Sequence, residues 1–234
     1  MNISSTSCPL RALPLFSGSA LKIIAVLSMV TDHCAYYLLD ESSVAYEVMR
    51  CFGRIAFPVF AFLVAEGFVH THNRMRYFLS LLLFAAISEV PWYLLNGADG
   101  THNVLFTLAL GVMTLAAIEA LKKDDILCEA VILSIACFAS WSGVDYEWRG
   151  ILMMVVFYLL GNVSDTSFPS GSKAQLFCAF PLMMHYGVVG ALLACLVIAC
   201  YDGTRGLIHG KVAKYGFYAF YPVHLIIVFL LNLP

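Results

Sequence analysis

Charged residues are scarce in this sequence of 234 residues. Only 12% are Asp, Glu, Lys or Arg, whereas soluble domains contain about 25%. Hydrophobic residues make up 61%, and the mean hydropathy is +0.85. The net charge is only −2, with neither a basic excess nor an acidic, aromatic-poor segment, which argues against nucleic-acid binding and against disorder. The composition predicts an integral membrane protein without a nucleic-acid partner.

The sequence also lacks the spacings of a disulfide framework or a metal site. It contains eight cysteines but no C-x-x-C pair, and most of them lie in or beside apolar runs, which predicts small core residues. Neither a zinc site nor a c-type haem motif has its ligands at the required spacing. The first apolar run begins at Leu21 without a basic region before it or a small-residue cleavage site after it. We therefore expect this run to remain as a helix and predict no metal.

Nine apolar stretches are candidates for helices that cross a membrane, which requires roughly 20 residues each. They lie near 21–39, 52–70, 76–95, 103–121, 127–141, 149–161, 174–186, 188–201 and 215–233. The three near 127, 149 and 174 are short, so tilted and re-entrant arrangements stay open for them. Because backbone polar groups must be paired internally in lipid, the sequence predicts an all-α transmembrane bundle of about nine spans.

The distribution of Lys and Arg predicts the orientation of this bundle, since these residues favour cytoplasmic loops. On an alternating topology ten of them share the side of the N-terminus: Arg11, Lys22, Arg74, Arg76, Lys122, Lys123, Lys173, Arg205, Lys211 and Lys214. Only Arg50 and Arg149 fall on the opposite side. We expect a short cytoplasmic segment over residues 1–20 and one transmembrane domain over 21–234, with no linker and no repeat between them.

Several polar residues interrupt the predicted spans, although a charged side chain near the bilayer centre costs about 2.5 to 3.5 kcal/mol. The candidate catalytic residues among them are Asp32, His33, Arg54, Glu89, Asn103 and His224. The predicted topology places all six in the middle or outer half of the membrane. We therefore predict that they converge on one cavity.

His33 is the predicted base, because neutral imidazole can take and return a proton near physiological pH. The alternative is a buried histidine with a purely structural role. Asp32 is adjacent in the helix and points about 100° away, so His224 or Glu89 from another helix is an equally suitable partner. Arg54 is expected to pair with Asp32 or Glu89, to bind a developing oxyanion, or only to hold helix register, and Asn103 is the other candidate for the oxyanion.

A group of basic residues is predicted at the cytoplasmic mouth of the bundle. Lys22, Arg74, Arg76 and Lys122 would bind the phosphates of an anionic, nucleotide-like ligand. The alternative is that they only carry the positive-inside signal and contact lipid headgroups. Lys22 and His33 lie 11 residues apart on one helix, which is about 16 Å, so a long phosphorylated donor could span both.

A series of motifs in the same order resembles the TraX family from about residue 21 to residue 233. They are Leu21-Lys22-Ile23-Ile24 through Thr31-Asp32-His33, Gly53-Arg54-Ile55-Ala56-Phe57-Pro58, Ala65-Glu66-Gly67-Phe68, His70-Thr71-His72-Asn73, Ile87-Ser88-Glu89-Val90-Pro91, the run from Asn103 to Gly111, and Tyr221-Pro222-Val223-His224-Leu225. Two positions depart from the family pattern. Ser80 stands where we expect a basic residue, and the segment Ser140 to Tyr146 keeps only its Asp-Tyr part.

The resemblance implies a multi-pass protein of the bacterial inner membrane, in a family named for the conjugation protein that acetylates the N-terminal amine of F-type pilin. It also implies a relation to membrane-embedded acyltransferases, which take an acyl group from acyl-CoA in the cytoplasm and use a histidine near the first spans. His33 matches that position. The expected co-substrate is acetyl-CoA, and the acceptor stays open between a pilin-like peptide, a glycan and a small amine.

Two functions account for the buried ionisable residues, whereas a third, a scaffold for pilus or envelope assembly, leaves them unexplained. The first is an acetyltransferase, with His33 as base or as the carrier of a transient acyl group. The second is a proton-coupled transporter or channel, in which the buried Asp, His, Arg and Glu residues form a relay. The spans show no obvious inverted repeat, which argues against the transporter.

Overall fold

The protein, described here by a computed structural model over residues 15–161, 171–208 and 210–233, contains ten α-helices and no β-strand within these ranges. They are α1 (Gly18–Leu38), α2 (Val44–Gly53), α3 (Ala56–Val69), α4 (Arg74–Asn96), α5 (Val104–Ala120), α6 (Asp125–Trp141), α7 (Glu147–Gly161), α8 (Gly171–Met184), α9 (Val188–Ala199) and α10 (Lys211–Leu231). Four helical segments are long and apolar enough to cross a membrane: α1, the continuous stretch of α2 and α3, α4 and most of α10.

The apolar pattern predicted the helices well and missed one of them. The helix α2 was not expected, because its residues mix charge with apolar side chains where the sequence indicated a loop. Arg54 was predicted to open the second span, but it lies in the turn between α2 and α3. Most of the predicted N-terminal segment 1–20 lies outside the described residues, and α1 begins at Gly18.

Short polar side chains begin five of the helices. The Ser17 and Ser43 hydroxyls accept backbone N–H groups at the starts of α1 and α2, and the Asn73, Asn103 and Asp124 side chains do the same for α4, α5 and α6. Such a cap satisfies one of the backbone donors that every helix leaves free at its first turn. The caps explain why α1, α4, α5 and α6 begin within a few residues of the predicted positions.

The helix α3 lies at the centre of the bundle. It packs against α1, α5, α7 and α9, and Val59, Ala61 and Phe68 on it are fully or almost fully buried. In the aromatic core, the ring of Phe68 meets Tyr158 of α7 edge-on at 5.6 Å between centroids. Packing of this kind and close approach at small residues hold helices together in lipid, where the hydrophobic effect between helices is absent.

Contacts between turns define two ends of the bundle. At one end, which we call the basic end, backbone N–H groups just before α1 donate to the carbonyl oxygen of Cys200. The Tyr201 hydroxyl oxygen lies 3.4 Å from Oε1 of Glu66, near the end of α3. At the opposite end, which we call the cavity end, the α4–α5 turn bonds the α6–α7 turn through His102 and Gly143. The described basic side chains at the basic end are Lys22, Arg74, Arg76, Lys122, Lys123, Arg205 and Lys214, whereas the cavity end has Arg50, Arg54 and Arg149.

Gly190 allows α9 to approach the turn that carries Arg54. A Cβ at this position would lie 2.5 Å from Arg54 Cβ and 3.0 Å from the carbonyl oxygen of Cys51. We therefore expect Gly190→Ala to lower the free energy of unfolding by about 1 to 3 kcal/mol, as overpacking does. Thermal or denaturant unfolding of the purified protein in detergent measures this effect.

Gly216 in α10 provides the matched control, since a Cβ there meets no atom within 4 Å. Gly216→Ala should leave stability unchanged or raise it by about 0.5 to 1 kcal/mol, because Ala restricts the unfolded chain. Equal destabilisation by both substitutions would contradict the described packing of α9.

Candidate functional site

A polar cavity of about 460 Å³ opens at the cavity end of the bundle. Its walls come from the second half of α1, the end of α2, the α2–α3 turn, the first half of α3, the end of α4, the α4–α5, α6–α7 and α8–α9 turns, and one side chain of α10. The residues with polar side chains that line it are Asp32, His33, Tyr36, Tyr37, Arg50, Arg54, Trp92, Asn96, Asp99, Thr101, Asp145, Tyr146, Glu147, Arg149, His185, Tyr186 and Tyr221. Three of the six predicted catalytic residues, Asp32, His33 and Arg54, therefore meet in one cavity.

His33 on α1 is paired with His224 on α10. The Nδ1 atom of His33 lies 2.7 Å from Nε2 of His224, and the two rings are stacked with 4.9 Å between centroids. His224 does not line the cavity and contacts His33 from behind. Of the two partners that the sequence left open for His33, the structure selects His224.

The hydrogen bonds of this pair determine where its protons lie when both rings are neutral. His224 Nδ1 lies 3.2 Å from the carbonyl oxygen of Phe220, which can only accept, so this nitrogen carries the proton. His224 Nε2 is then an acceptor, and His33 Nδ1 must donate to it. The remaining nitrogen, Nε2 of His33, keeps its lone pair. The chain Phe220–His224–His33 thus presents an unprotonated imidazole nitrogen on a cavity-lining residue.

Asp32 is held by Arg50 of α2, and the ion pair with Arg54, one of the alternatives that the sequence left open, does not form. Arg50 Nη1 donates to Asp32 Oδ2 over 2.5 Å, and the two side chains are only 18% and 15% exposed. The guanidinium also lies 4.9 Å from the ring centroid of Tyr36. The sequence placed Arg50 outside the membrane span, because the amphipathic helix α2 that carries it inward was not anticipated.

Arg54 remains without an ion pair among the described residues, although its charge acts on both Asp32 and Asp145. It lines the cavity beside Gly53, where any side chain would overlap the carboxylate of Asp32. A glycine is therefore required at position 53 for α1 and α2 to approach. The arrangement leaves the Arg54 guanidinium available to a ligand in the cavity.

The α6–α7 turn contributes Asp145, a cavity residue that the sequence did not single out as catalytic. Tyr146 and Glu147 after it have φ values of 64° and 44°, an unusual backbone for residues with side chains. The Tyr146 ring stacks on Phe57 at 3.6 Å between centroids, and Thr107 donates to the Asp145 carbonyl oxygen. Strain of this kind persists where surrounding contacts enforce it, and it concentrates at functional sites.

The environment of Asp145 disfavours its charged form. Burial is the main cause that raises the pKa of Asp145 to about 7, and the nearby Asp32 carboxylate acts in the same direction, whereas Arg54 opposes them. A carboxyl group with this pKa can hold or release a proton near neutral pH. The available signal for Asp145 in the sequence was the Asp-Tyr pair, which is the part of the segment Ser140 to Tyr146 that keeps the family pattern.

Two tyrosines complete the wall near the histidine pair. Tyr37 donates its hydroxyl proton to Asn96 Oδ1 over 2.9 Å, which ties α1 to the end of α4. Tyr221 is only 4% exposed, and within the described residues its hydroxyl proton has no acceptor. Since Tyr221 lines the cavity one turn before His224, it is a second hydrogen-bond donor for a bound group.

Glu89 and Asn103 do not join this cavity, which corrects the prediction of one convergent set. Glu89 Oε1 pairs with His102 Nδ1, and Glu89 Oε2 accepts a hydrogen bond from Asn103 Nδ2 over 2.6 Å. The Asn103 amide also donates to the carbonyl oxygen of Ala85, while its Oδ1 caps α5. The bonds of these two side chains are therefore satisfied within a separate cluster between α4 and α5.

The four predicted phosphate-binding residues lie at the basic end but do not form one contact group. Arg74 pairs with Glu119, and Lys122 Nζ lies 3.8 Å from the same carboxylate. Lys22 lies 5.8 Å from the ring centroid of Phe217. Arg76 lines a different surface groove on α4. The contacts of these four residues therefore lie at three separate places of the basic end.

Fold and site together define a helical membrane protein with a polar, histidine-containing cavity at one end. The chain belongs to the TraX family: the sequence model of that family, described as TraX protein, matches residues 17–232. This match confirms the resemblance carried by the motifs. No solved structure matches the chain.

Two curated proteins are similar to the chain. The chain is 32% identical over 234 residues to a protein named "Probable fimbrial assembly protein FimC, serogroup H1" from Dichelobacter nodosus, with 90% of this chain and 93% of that protein covered. It is 27% identical over 143 residues to an uncharacterized protein of Rickettsia prowazekii (strain Madrid E), with 59% of this chain and 54% of that protein covered.

The raised pKa of Asp145 makes stability depend on pH. Because the folded state binds the proton more tightly than the unfolded state, this carboxyl group stabilises the fold at low pH, and the contribution is lost as the pH rises from the ordinary value of 3.8 to about 7. In Asp145→Asn this loss should disappear, while the amide oxygen still accepts the Tyr146 N–H. Melting curves of both proteins across that range test this; a constant difference in Tm would contradict it.

The Asp32–Arg50 pair should behave as a buried ion pair. Arg50→Gln leaves the Asp32 carboxylate without its partner and should cost about 3 to 5 kcal/mol of unfolding free energy. The double variant Arg50→Gln/Asp32→Asn should recover most of that loss in denaturant unfolding. Arg149→Gln removes a more exposed pair with Glu147, whose side chain is 47% exposed, and should cost at most about 1 kcal/mol. Additive losses in the double variant would contradict the pairing.

Proposed function

We propose that this protein is a membrane acetyltransferase, which moves an acetyl group from acetyl-CoA to an acceptor amine. The observation that carries the proposal is the histidine pair, because its hydrogen bonds leave an unprotonated nitrogen on His33 beside a cavity large enough for the reacting groups. Membership of the TraX family, which is associated with pilin acetylation, supports the same chemistry.

In the proposed reaction the acceptor amine attacks the thioester carbonyl carbon. A C–N bond forms and the C–S bond breaks, while the amine proton passes to His33 Nε2 and from there to the departing thiolate of CoA. His224 would keep the imidazole in the required tautomer. It would also stabilise the charged ring by accepting the hydrogen bond from His33 Nδ1. The products are the N-acetylated acceptor and CoA.

The developing oxyanion requires hydrogen-bond donors that face the cavity. The sequence suggested Arg54 or Asn103 for this role, but both amide hydrogens of Asn103 point to acceptors in the Glu89 cluster. We therefore assign the role to Arg54, with the Tyr221 hydroxyl as a second donor. Asp32 and Asp145 would keep Arg54 in place and set the net charge around the base.

The two ends of the bundle suggest how the substrates enter. With the basic end in the cytoplasm, as the positive-inside rule favours, the N-terminus is cytoplasmic, the helices make about nine crossings of the bacterial inner membrane, and the cavity opens outward. The donor would then approach along α1, with its phosphates near Lys22 and its acyl end directed towards His33. The acceptor would enter at the cavity end, where Asp99 and Glu147 attract a cationic amine.

The proposed acceptor class is the N-terminal amine of a pilin-type subunit. The name of the Dichelobacter nodosus relative refers to fimbrial assembly, which supports an acceptor of this class. A small amine would react in the same way, whereas a glycan hydroxyl would give its proton to His33 and form a C–O bond in place of the C–N bond. The choice among these acceptors is therefore a question for the assay and not for the mechanism.

The test uses purified protein in lipid nanodiscs with labelled acetyl-CoA and a peptide that has a free N-terminal amine. Wild-type protein should transfer the label, and His33→Ala should reduce kcat by about 10²- to 10⁴-fold, since this is the usual contribution of a general base. His224→Ala should lower kcat with little change in KM, because it positions the base without touching substrate.

His72→Ala is the matched control, because His72 is exposed in the turn between α3 and α4 at the other end of the bundle. It should retain wild-type turnover. Normal turnover of His33→Ala would remove His33 from the mechanism. If wild-type protein turns over no acyl-CoA but carries protons into liposomes along a gradient, the transporter is the correct function.

A further inference from the structure

A second groove lies on the outer surface between α4 and α10, towards the basic end, with a volume of about 350 Å³. Its wall on α4 includes Arg76, Leu79, Ser80, Leu83 and Phe84, with Asn73 and Met75 at the start of the helix, and Tyr215 on α10 closes it. These α4 residues recur every three or four positions and so form one helix face. From Arg76 to Leu83 the groove extends about 10 Å along the helix axis.

The inner part of the groove is apolar and faces outward. Leu79 is 52% exposed and Leu83 is 58% exposed, although α4 is one of the four helices long and apolar enough to cross a membrane. Ser80 forms the floor, is only 8% exposed, and donates its hydroxyl to the Arg76 carbonyl oxygen. The only polar group of the floor is therefore bonded within its own helix. The exposed leucines beside it offer an apolar surface along which a hydrocarbon chain could lie.

The end of the groove that lies nearest the basic end of the bundle is positively charged. Lys214 Nζ lies 5.7 to 6.0 Å from the ring centroids of Tyr77, Tyr215 and Tyr218, and the charge of Arg76 acts on it. Among the described residues no carboxylate lies within ion-pair distance of Arg76 or Lys214. Arg74 differs in this respect, because Glu119 neutralises it. Two like charges are thus held near each other beside an apolar groove, which is an arrangement that an anion would stabilise.

We infer that this groove is a binding site for an anionic phospholipid. The phosphate would lie between Arg76 and Lys214, one acyl chain would run along Leu79 and Leu83, and the tyrosines around Lys214 would lie at headgroup depth. A basic pair at the cytoplasmic side favours a lipid with net negative charge over a zwitterionic one. The inference is independent of the acetyltransferase proposal, and it gives Arg76 a role apart from the acetyl donor.

Native mass spectrometry of the full-length protein tests the inference. The protein is reconstituted in nanodiscs of phosphatidylglycerol and phosphatidylcholine, extracted into mild detergent, and the retained lipid is identified. Wild-type protein should retain phosphatidylglycerol in preference to phosphatidylcholine. Arg76→Gln and Lys214→Gln should each weaken retention about fivefold, which corresponds to the effect of one basic residue near a membrane surface.

Two further variants separate this site from general surface charge. Lys123→Gln, which removes an exposed charge at the same end but outside the groove, should retain lipid as the wild type does. Ser80→Leu fills the floor without changing charge and should also reduce retention. Wild-type retention in the Arg76→Gln/Lys214→Gln double variant, equal retention of both lipids, or displacement of the bound lipid by soluble glycerol 3-phosphate at the lipid's own concentration would overturn the inference.

Discussion

The hydrogen bond between His33 and His224 joins the first and last helices of the chain across 191 residues of sequence. In a membrane interior each imidazole N–H group needs an acceptor, and the Phe220 carbonyl oxygen is the acceptor that orients the pair. Because that carbonyl can only accept, the direction of both hydrogen bonds follows from it. The position of α10 also brings Tyr221 into the cavity wall. The geometry of the candidate site therefore depends on how α1 and α10 meet.

The same requirement for partners sorts the other polar residues into separate groups. Asp32 pairs with Arg50 through Oδ2, although its buried Oδ1 has no hydrogen-bond partner among the described residues. Glu89 is satisfied by His102 and Asn103, and Glu119 by Arg74 and Tyr158. Groups satisfied in this way stabilise helix contacts and have little capacity left for a ligand. Arg54 in the cavity and Arg76 in the surface groove have no such partner among the described residues. Our two proposals, the acetyltransferase and the lipid site, place a ligand at each of them.

Much of the fold could be predicted from the sequence, since long apolar runs in lipid can only become helices. The predicted spans agree with the described helices to within a few residues, and the family resemblance carried by the ordered motifs is confirmed. The helix α2 escaped prediction because Glu47 and Arg50 interrupt its apolar pattern. The error at Arg50 follows from that omission, since a residue assigned to a loop was not considered as a buried partner for Asp32.

By itself the sequence determined that this chain is a helical membrane protein of the TraX family, because composition and local order of motifs carry that information without any contact between distant residues. It also identified His33 as the candidate base. Only the tertiary structure decided that His224 is its partner, that Asp145 and Tyr221 share its cavity, and that Glu89 and Asn103 lie elsewhere. These outcomes depend on helix rotation and on the register between helices far apart in sequence, and hydropathy does not encode either one.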